Sequence, residues 1–173
     1  TWRCKECHGW DYKGRDGGYA KGSHATGIVG IDKAAGRDVA AITALLRSPV
    51  HGYTPAMIND EELGRVAAFV SRGQHDTSKF LDPATGTAKG DAGNGRAVFQ
   101  TICAACHGYD GRLLNWGTPE QPAYVGTEAG KFPEEVLHKI RNSHPGAAMV
   151  SLRAMPLEAA VDVLTYARTL PAK

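Results

Sequence analysis

The chain has 173 residues, 42% hydrophobic, 22% charged and 8% aromatic. At roughly 100–200 residues per domain, this is one ordinary domain or two small ones. Lys and Arg number 20 against 18 Asp and Glu, a formal charge of +2, which excludes a strongly basic nucleic-acid binder and a highly charged disordered chain.

The first element in chain order is Cys4-Lys5-Glu6-Cys7-His8, and its pattern returns as Cys103-Ala104-Ala105-Cys106-His107. C-x-x-C-H reads as attachment of a c-type haem. Positions i, i+3 and i+4 share one helix face. Two thiols can therefore add to the vinyl groups of one porphyrin while His8 or His107 reaches the iron. Together the two copies use all four cysteines. A zinc ribbon would place its C-x-x-C pairs roughly 15–20 residues apart, whereas most of the chain separates these. No strand–helix alternation suggests a thioredoxin-like site, and a disulfide framework would not need a His after both pairs.

A loop with seven glycines between Gly9 and Gly30 follows His8. Arg37 to Arg47 is a predicted helix with Val39, Ile42, Leu45 and Leu46 on its apolar face, ended by Ser48-Pro49. A loop carries His51, Tyr53, Pro55 and Met57. Asn59 then caps a helix that opens with Asp60, Glu61 and Glu62 and buries Leu63, Val66, Phe69 and Val70. Gln74 to Gly90 is polar and rich in turn residues, so it reads as a linker. The expected division is residues 1–76, a linker at 77–91 and a second domain at 92–173.

In the second half a short helix from about Asn94 runs through Phe99 into Cys103. A Gly/Pro-rich loop through Trp116, Pro119 and Pro122 follows, then a helix over Phe132–Ile140. The stretch from Asn142 to Met155 is a loop. The last helix opens at Pro156 and runs to Leu170, where Pro171 stops it. The leading helix of this half has no counterpart before Cys4, which suggests an exported precursor longer than the present chain.

Each haem iron would take a second axial ligand. Met57 is the expected one in the first half, with His51 and His24 as alternatives. In the second half, matching His51-Gly52…Met57 to His144-Pro145-Gly146…Met149 favours Met149. Counting back from the final helix favours Met155. Met149 is preferred because a Pro-Gly-Ala loop can present it, while Met155 precedes Pro156 and would pack under the helix start. Methionine with histidine raises the potential and leaves no open position.

These residues resemble class I cytochromes c in their two-domain dihaem form, over nearly the whole chain. Gly95-x-x-x-Phe99 is similar to the family's N-terminal helix, Gln121-Pro122-Ala123-Tyr124 to the loop whose Pro carbonyl receives the proximal His N–H, Arg141–Met149 to the axial-methionine loop, and Leu164–Leu170 to the C-terminal helix. The resemblance implies an all-α fold of two small domains, each wrapped around one haem c, with Pro122 orienting His107. The first half departs from it, with no proline matching Pro122, so the two haems are not expected to be equivalent.

The function expected is a soluble electron carrier cycling between Fe(III) and Fe(II), with a redox protein as donor and another as acceptor. Covalent haem attachment implies export, hence a periplasmic location with the signal peptide removed. The longest apolar stretches, around Val39–Leu46 and Val161–Leu170, are short and interrupted, below the roughly 18 residues of a membrane-crossing helix. No nucleic-acid partner is expected, and a monomer is favoured. A haem enzyme of peroxidase or sulfur-compound dehydrogenase type, or an electron-transfer subunit of a larger oxidoreductase, are the alternatives. Trp2, Trp10 and Trp116 are expected at haem edges, His75 in solvent and His138 on the surface.

Overall fold

The computed structural model describes residues 3–82, 84–144 and 146–173. Trp2 and Pro145 lie outside the described residues. Every regular element described is helical, and the two antiparallel pairings, Gly14 with Val29 and Leu81 with Ala88, are isolated bridges. No described helix is long and apolar enough to cross a membrane. The chain divides into two compact units, residues 1–76 and 77–173.

The first unit holds α1 (Lys5–His8), α2 (Val39–Arg47) and α3 (Asp60–Arg72). Both longer helices start where a side-chain oxygen can satisfy an orphan amide. Asp38 accepts from Ala41 N at 2.9 Å, and Asn59 accepts from Glu62 N at 2.9 Å. Three acids in the first turn of α3 complement the positive end of its dipole. Ile42 and Leu46 of α2 meet Leu63, Ala67 and Val70 of α3 to form the core. The long loop between α1 and α2 is fastened to this pair. Tyr12 is buried in it and sets its ring edge-on against Phe69 of α3, at 5.8 Å between centroids. His75, expected in solvent, is instead half-buried with its ring edge-on to Tyr12 at 5.5 Å.

The second unit holds α4 (Ala92–Val98), α5 (Ala104–His107), α6 (Val125–Lys131), α7 (Pro133–Asn142) and α8 (Leu157–Ala167). A π-helical turn, Phe99–Cys103, joins α4 to α5 in one helical run. That run enters the second motif as the sequence suggests, but starts earlier, because Asp91 accepts from Asn94 N at 2.8 Å and caps α4. α4 crosses α8 in close contact. A Cβ on Gly95 would lie 1.9 Å from the Asp162 carbonyl oxygen, so only glycine fits. The buried core joins Phe99, Leu137, Ile140, Val161, Val163 and Leu164.

Two expectations fail in this unit. Residues 77–91 are not a free linker: Leu81 and Ala88 are buried in the second core, Lys89 N donates to Phe80 O, and Gly90 N donates to Thr165 of α8. Two small apolar anchors inside a polar stretch suffice to fold it down. The helix Val125–Lys131 falls where the sequence suggests only loop. Its two glycines and single acidic residue hide it, yet Val125 and Ala129 are buried and Thr127 donates to Ala172 O at 2.6 Å.

Candidate functional site

The two C-x-x-C-H segments fold alike. In each, the first cysteine sits at a helix N-cap and the His ends one helical turn, α1 or α5. The following glycine leaves the helix with the same backbone geometry: φ 76°, ψ 163° at Gly9 and φ 79°, ψ 158° at Gly108. In the left-handed region of φ this exit is easy for glycine and strained for other residues. His8 O then accepts from Gly14 N at 2.8 Å, and His107 O from Leu113 N at 3.0 Å. All four cysteines are free thiols; Cys106 is exposed, Cys7 and Cys103 half-buried. Burial pushes the Cys103 thiol above its ordinary range. Desolvation also raises Cys4, while the Tyr53 hydroxyl, donating to its sulfur, pulls the other way.

Around His8, the Nδ1–H donates to the Val29 carbonyl at 2.7 Å. A carbonyl only accepts, so Nδ1 carries the proton and Nε2 keeps a free lone pair. The loop after α2 brings a second imidazole to the same place. His51 stands 6.2 Å from His8 between ring centroids, tilted by 34°. Tyr53 stacks on His51 at 6.4 Å. Met57 lies on a turn closed by its own N–H to Thr54 O, and is 46% exposed. His24 is exposed and packs on Tyr19 at 5.3 Å. Trp10 lies under the Lys5 ammonium at 5.7 Å.

Around His107 the neighbours are aromatic. Phe99 is 6.5 Å and Trp116 5.8 Å from its ring. Burial holds its pKa below the ordinary range, which keeps the imidazole neutral, the form that binds metals. Its Nδ1 is buried and forms no hydrogen bond among the described residues, so the expected bond to the Pro122 carbonyl is not made. The loop carrying Pro122 closes on itself instead: Trp116 N donates to Ala123 O, Thr118 N donates to Gln121 O, and Asn115 Oδ1 accepts from both Gly117 N and Ala123 N. Met149 is half-buried in the loop after α7, its carbonyl accepting from the Ser143 hydroxyl at 2.7 Å. Met155 packs against the core, and Arg141 donates to its carbonyl.

Residues 90–166 match the family model of the cytochrome c oxidase, cbb3-type, subunit III. A "cytochrome c-553-like" protein of Synechocystis sp. is 33% identical over 84 residues, 47% of this chain and 71% of that protein. The chain belongs to the cytochrome c family. Haem c is the expected cofactor of such a cytochrome domain, and the residues around the second motif fit it. Its thiols are unbridged, and burial lowers the pKa of its imidazole, favouring the neutral form. Leu113, Leu114 and Trp116 expose large apolar surface on the following loop, which a porphyrin face would cover. The first motif lies outside the matched segment, but offers this cytochrome the same thiol and imidazole arrangement.

Sequence reasoning missed the Val29 carbonyl, since a backbone acceptor has no residue signature. The two glycines that bracket it, Gly27 and Gly30, were the available hint. It also missed Tyr53 as the link between the loop after α2 and Cys4.

Proposed function

We propose that this cytochrome is a dihaem electron carrier. Cys4 and Cys7 hold one haem and Cys103 and Cys106 the other, each thiol adding its S–H across a vinyl group with no atom lost. His8 and His107 supply the proximal nitrogens. When bound, haem c supplies a one-electron Fe(III)/Fe(II) couple. The observation that carries the reading is the repeat of backbone geometry at the two motifs, Gly9 matching Gly108. The Val29 carbonyl fixes the rotation of His8 and makes its Nε2 more basic. Met149 is the second iron's other ligand, because Met155 is engaged by the core. Thioether attachment places the protein outside the cytoplasm, in a bacterial periplasm, with one redox protein as donor and another as acceptor. Its 1–76 and 77–173 units are then two haem domains.

The test is haem-loaded protein assayed for haem by the pyridine haemochromogen spectrum, intact mass and free-thiol titration. Two haems and no free thiol per chain are expected. One haem with two free thiols overturns the dihaem reading. Met149→Ala should remove the methionine–iron charge-transfer band of the second haem; loss of that band in Met155→Ala alone would reverse the choice. A second reading, a transfer subunit of a larger oxidoreductase, is favoured by the description of the family matched at residues 90–166. Size-exclusion chromatography of native extracts separates the two, a free monomer supporting the carrier.

A further inference from the structure

The first haem site contains two imidazoles where a class I site would pair one imidazole with a methionine. We infer that His51, rather than Met57, is the second axial ligand of the first iron, so that His8 and His51 hold it from opposite sides. The inference rests on the reading that the first motif carries a haem.

Three observations on this chain carry it. The first is spacing. A metal–imidazole bond is about 2 Å, and a five-membered ring with bonds near 1.33 Å puts its nitrogen about 1.1 Å from its centre. Two imidazoles on opposite sides of one metal therefore stand about 6 Å apart, centre to centre. His8 and His51 are at 6.2 Å.

The second is the protonation pattern. His8 Nδ1 meets the Val29 carbonyl at 2.7 Å, and His51 Nδ1 meets the Leu45 carbonyl at 3.3 Å. Since both acceptors are carbonyls, both rings carry their proton on Nδ1 and keep Nε2 free to bind metal. Two residues far apart in sequence thus share one tautomer, the one ligation needs.

The third is anchorage. His51 is held to the motif by its neighbours. Tyr53 stacks on it with an interplanar angle of 16°, and the Tyr53 hydroxyl donates to the Cys4 sulfur. Tyr53 N donates to Leu46 O at 3.2 Å, and Arg47 of α2 donates to Tyr53 O at 3.0 Å. This clamp ties the loop after α2 to both the helix and the cysteine, with His51 between them. Met57 lies beyond the clamp, 46% exposed.

Beside His107 in the second unit stand the rings of Phe99 and Trp116 instead, and Met149 is the ligand proposed there. The two couples are therefore unequal. Replacing a methionine ligand by imidazole lowers the potential, so the first haem is the lower-potential centre and the second the higher.

The test uses the haem-loaded full chain, with haem count, near-infrared magnetic circular dichroism, electron paramagnetic resonance and an optical redox titration. In the unaltered protein, two haems per chain with one bis-imidazole and one methionine charge-transfer band, and two separate redox waves, are expected. Met57→Ala should leave both bands and both waves unchanged. His51→Met should replace the bis-imidazole band by a second methionine band and shift the lower wave upward. His51→Ala should turn one haem high-spin. Two methionine bands in the unaltered protein, one lost in Met57→Ala, would overturn the ligand assignment while leaving two haems standing. A count of one haem, with Cys4 and Cys7 free, would overturn the assignment together with the dihaem reading.

Discussion

The Cys103 and Cys106 thiols lie in the same helical turn but in different surroundings. Cys103 is half-buried, and burial raises its pKa, while Cys106 is exposed. Only the thiolate reacts with alkylating agents. In haem-free protein, iodoacetamide at neutral pH should therefore label Cys106 before Cys103, with Cys103 catching up as the pH is raised. Peptide mass spectrometry over a pH series reads this directly, and equal labelling at neutral pH would refute it. In haem-loaded protein neither should react. At this scale the sequence was most legible where side chains carry the chemistry: the cysteines and motif histidines announce themselves by spacing. Val29 does not, because its part is played by a carbonyl that every residue owns. Resemblance names Pro122 as the partner of His107, but His107 Nδ1 makes no hydrogen bond among the described residues, and the loop is closed by Gly117 N and Ala123 N donating to Asn115 Oδ1.

Among the elements, those with a capping residue and an apolar stripe were readable. Asn59 with three acids located α3, and Pro133 with two acids located α7. α6 escaped because its burial is tertiary: Val125 and Ala129 are too sparse to make a stripe. The packed segment at 77–91 escaped for the same reason. The Gly95 contact shows how one residue type governs an element pair. Alanine is the better helix former, yet a methyl group there would meet the Asp162 backbone of α8, which cannot move without the helix. Overpacking of this kind costs about 1–3 kcal/mol, against a propensity gain of roughly 1 kcal/mol. Gly95→Ala should thus destabilise the second unit, measured as an earlier denaturation midpoint with unchanged haem content. A methyl group on Gly64 of α3 would meet nothing within 4 Å, so Gly64→Ala should be neutral or stabilising. If both variants behave alike, the crossing is not what fixes Gly95.

Across the whole molecule, the two units differ in how much core they build from their own chain. The first relies on Ile42, Leu46, Leu63, Ala67 and Val70, all from two helices, and its long glycine loop contributes Tyr12. The second draws Leu81, Phe99, Val125, Leu137, Leu152 and Leu164 from nearly every element it has. Domains of this size are marginal on chain burial and need a staple; in this reading the haem is that staple, and the first unit depends on it more. Cys4→Ser with Cys7→Ser should cost the first unit its fold, and Cys103→Ser with Cys106→Ser should cost the second less. Hydrogen exchange followed by peptide is the measurement. In the first double variant, amides over residues 39–72 should lose protection. In the second, α4 and α8 should keep part of theirs, since Gly95 and Asp162 remain in contact without the haem. Retained protection over 39–72 in the first variant would mean that α2 and α3 form a sufficient core by themselves, and that the haem serves only the electron.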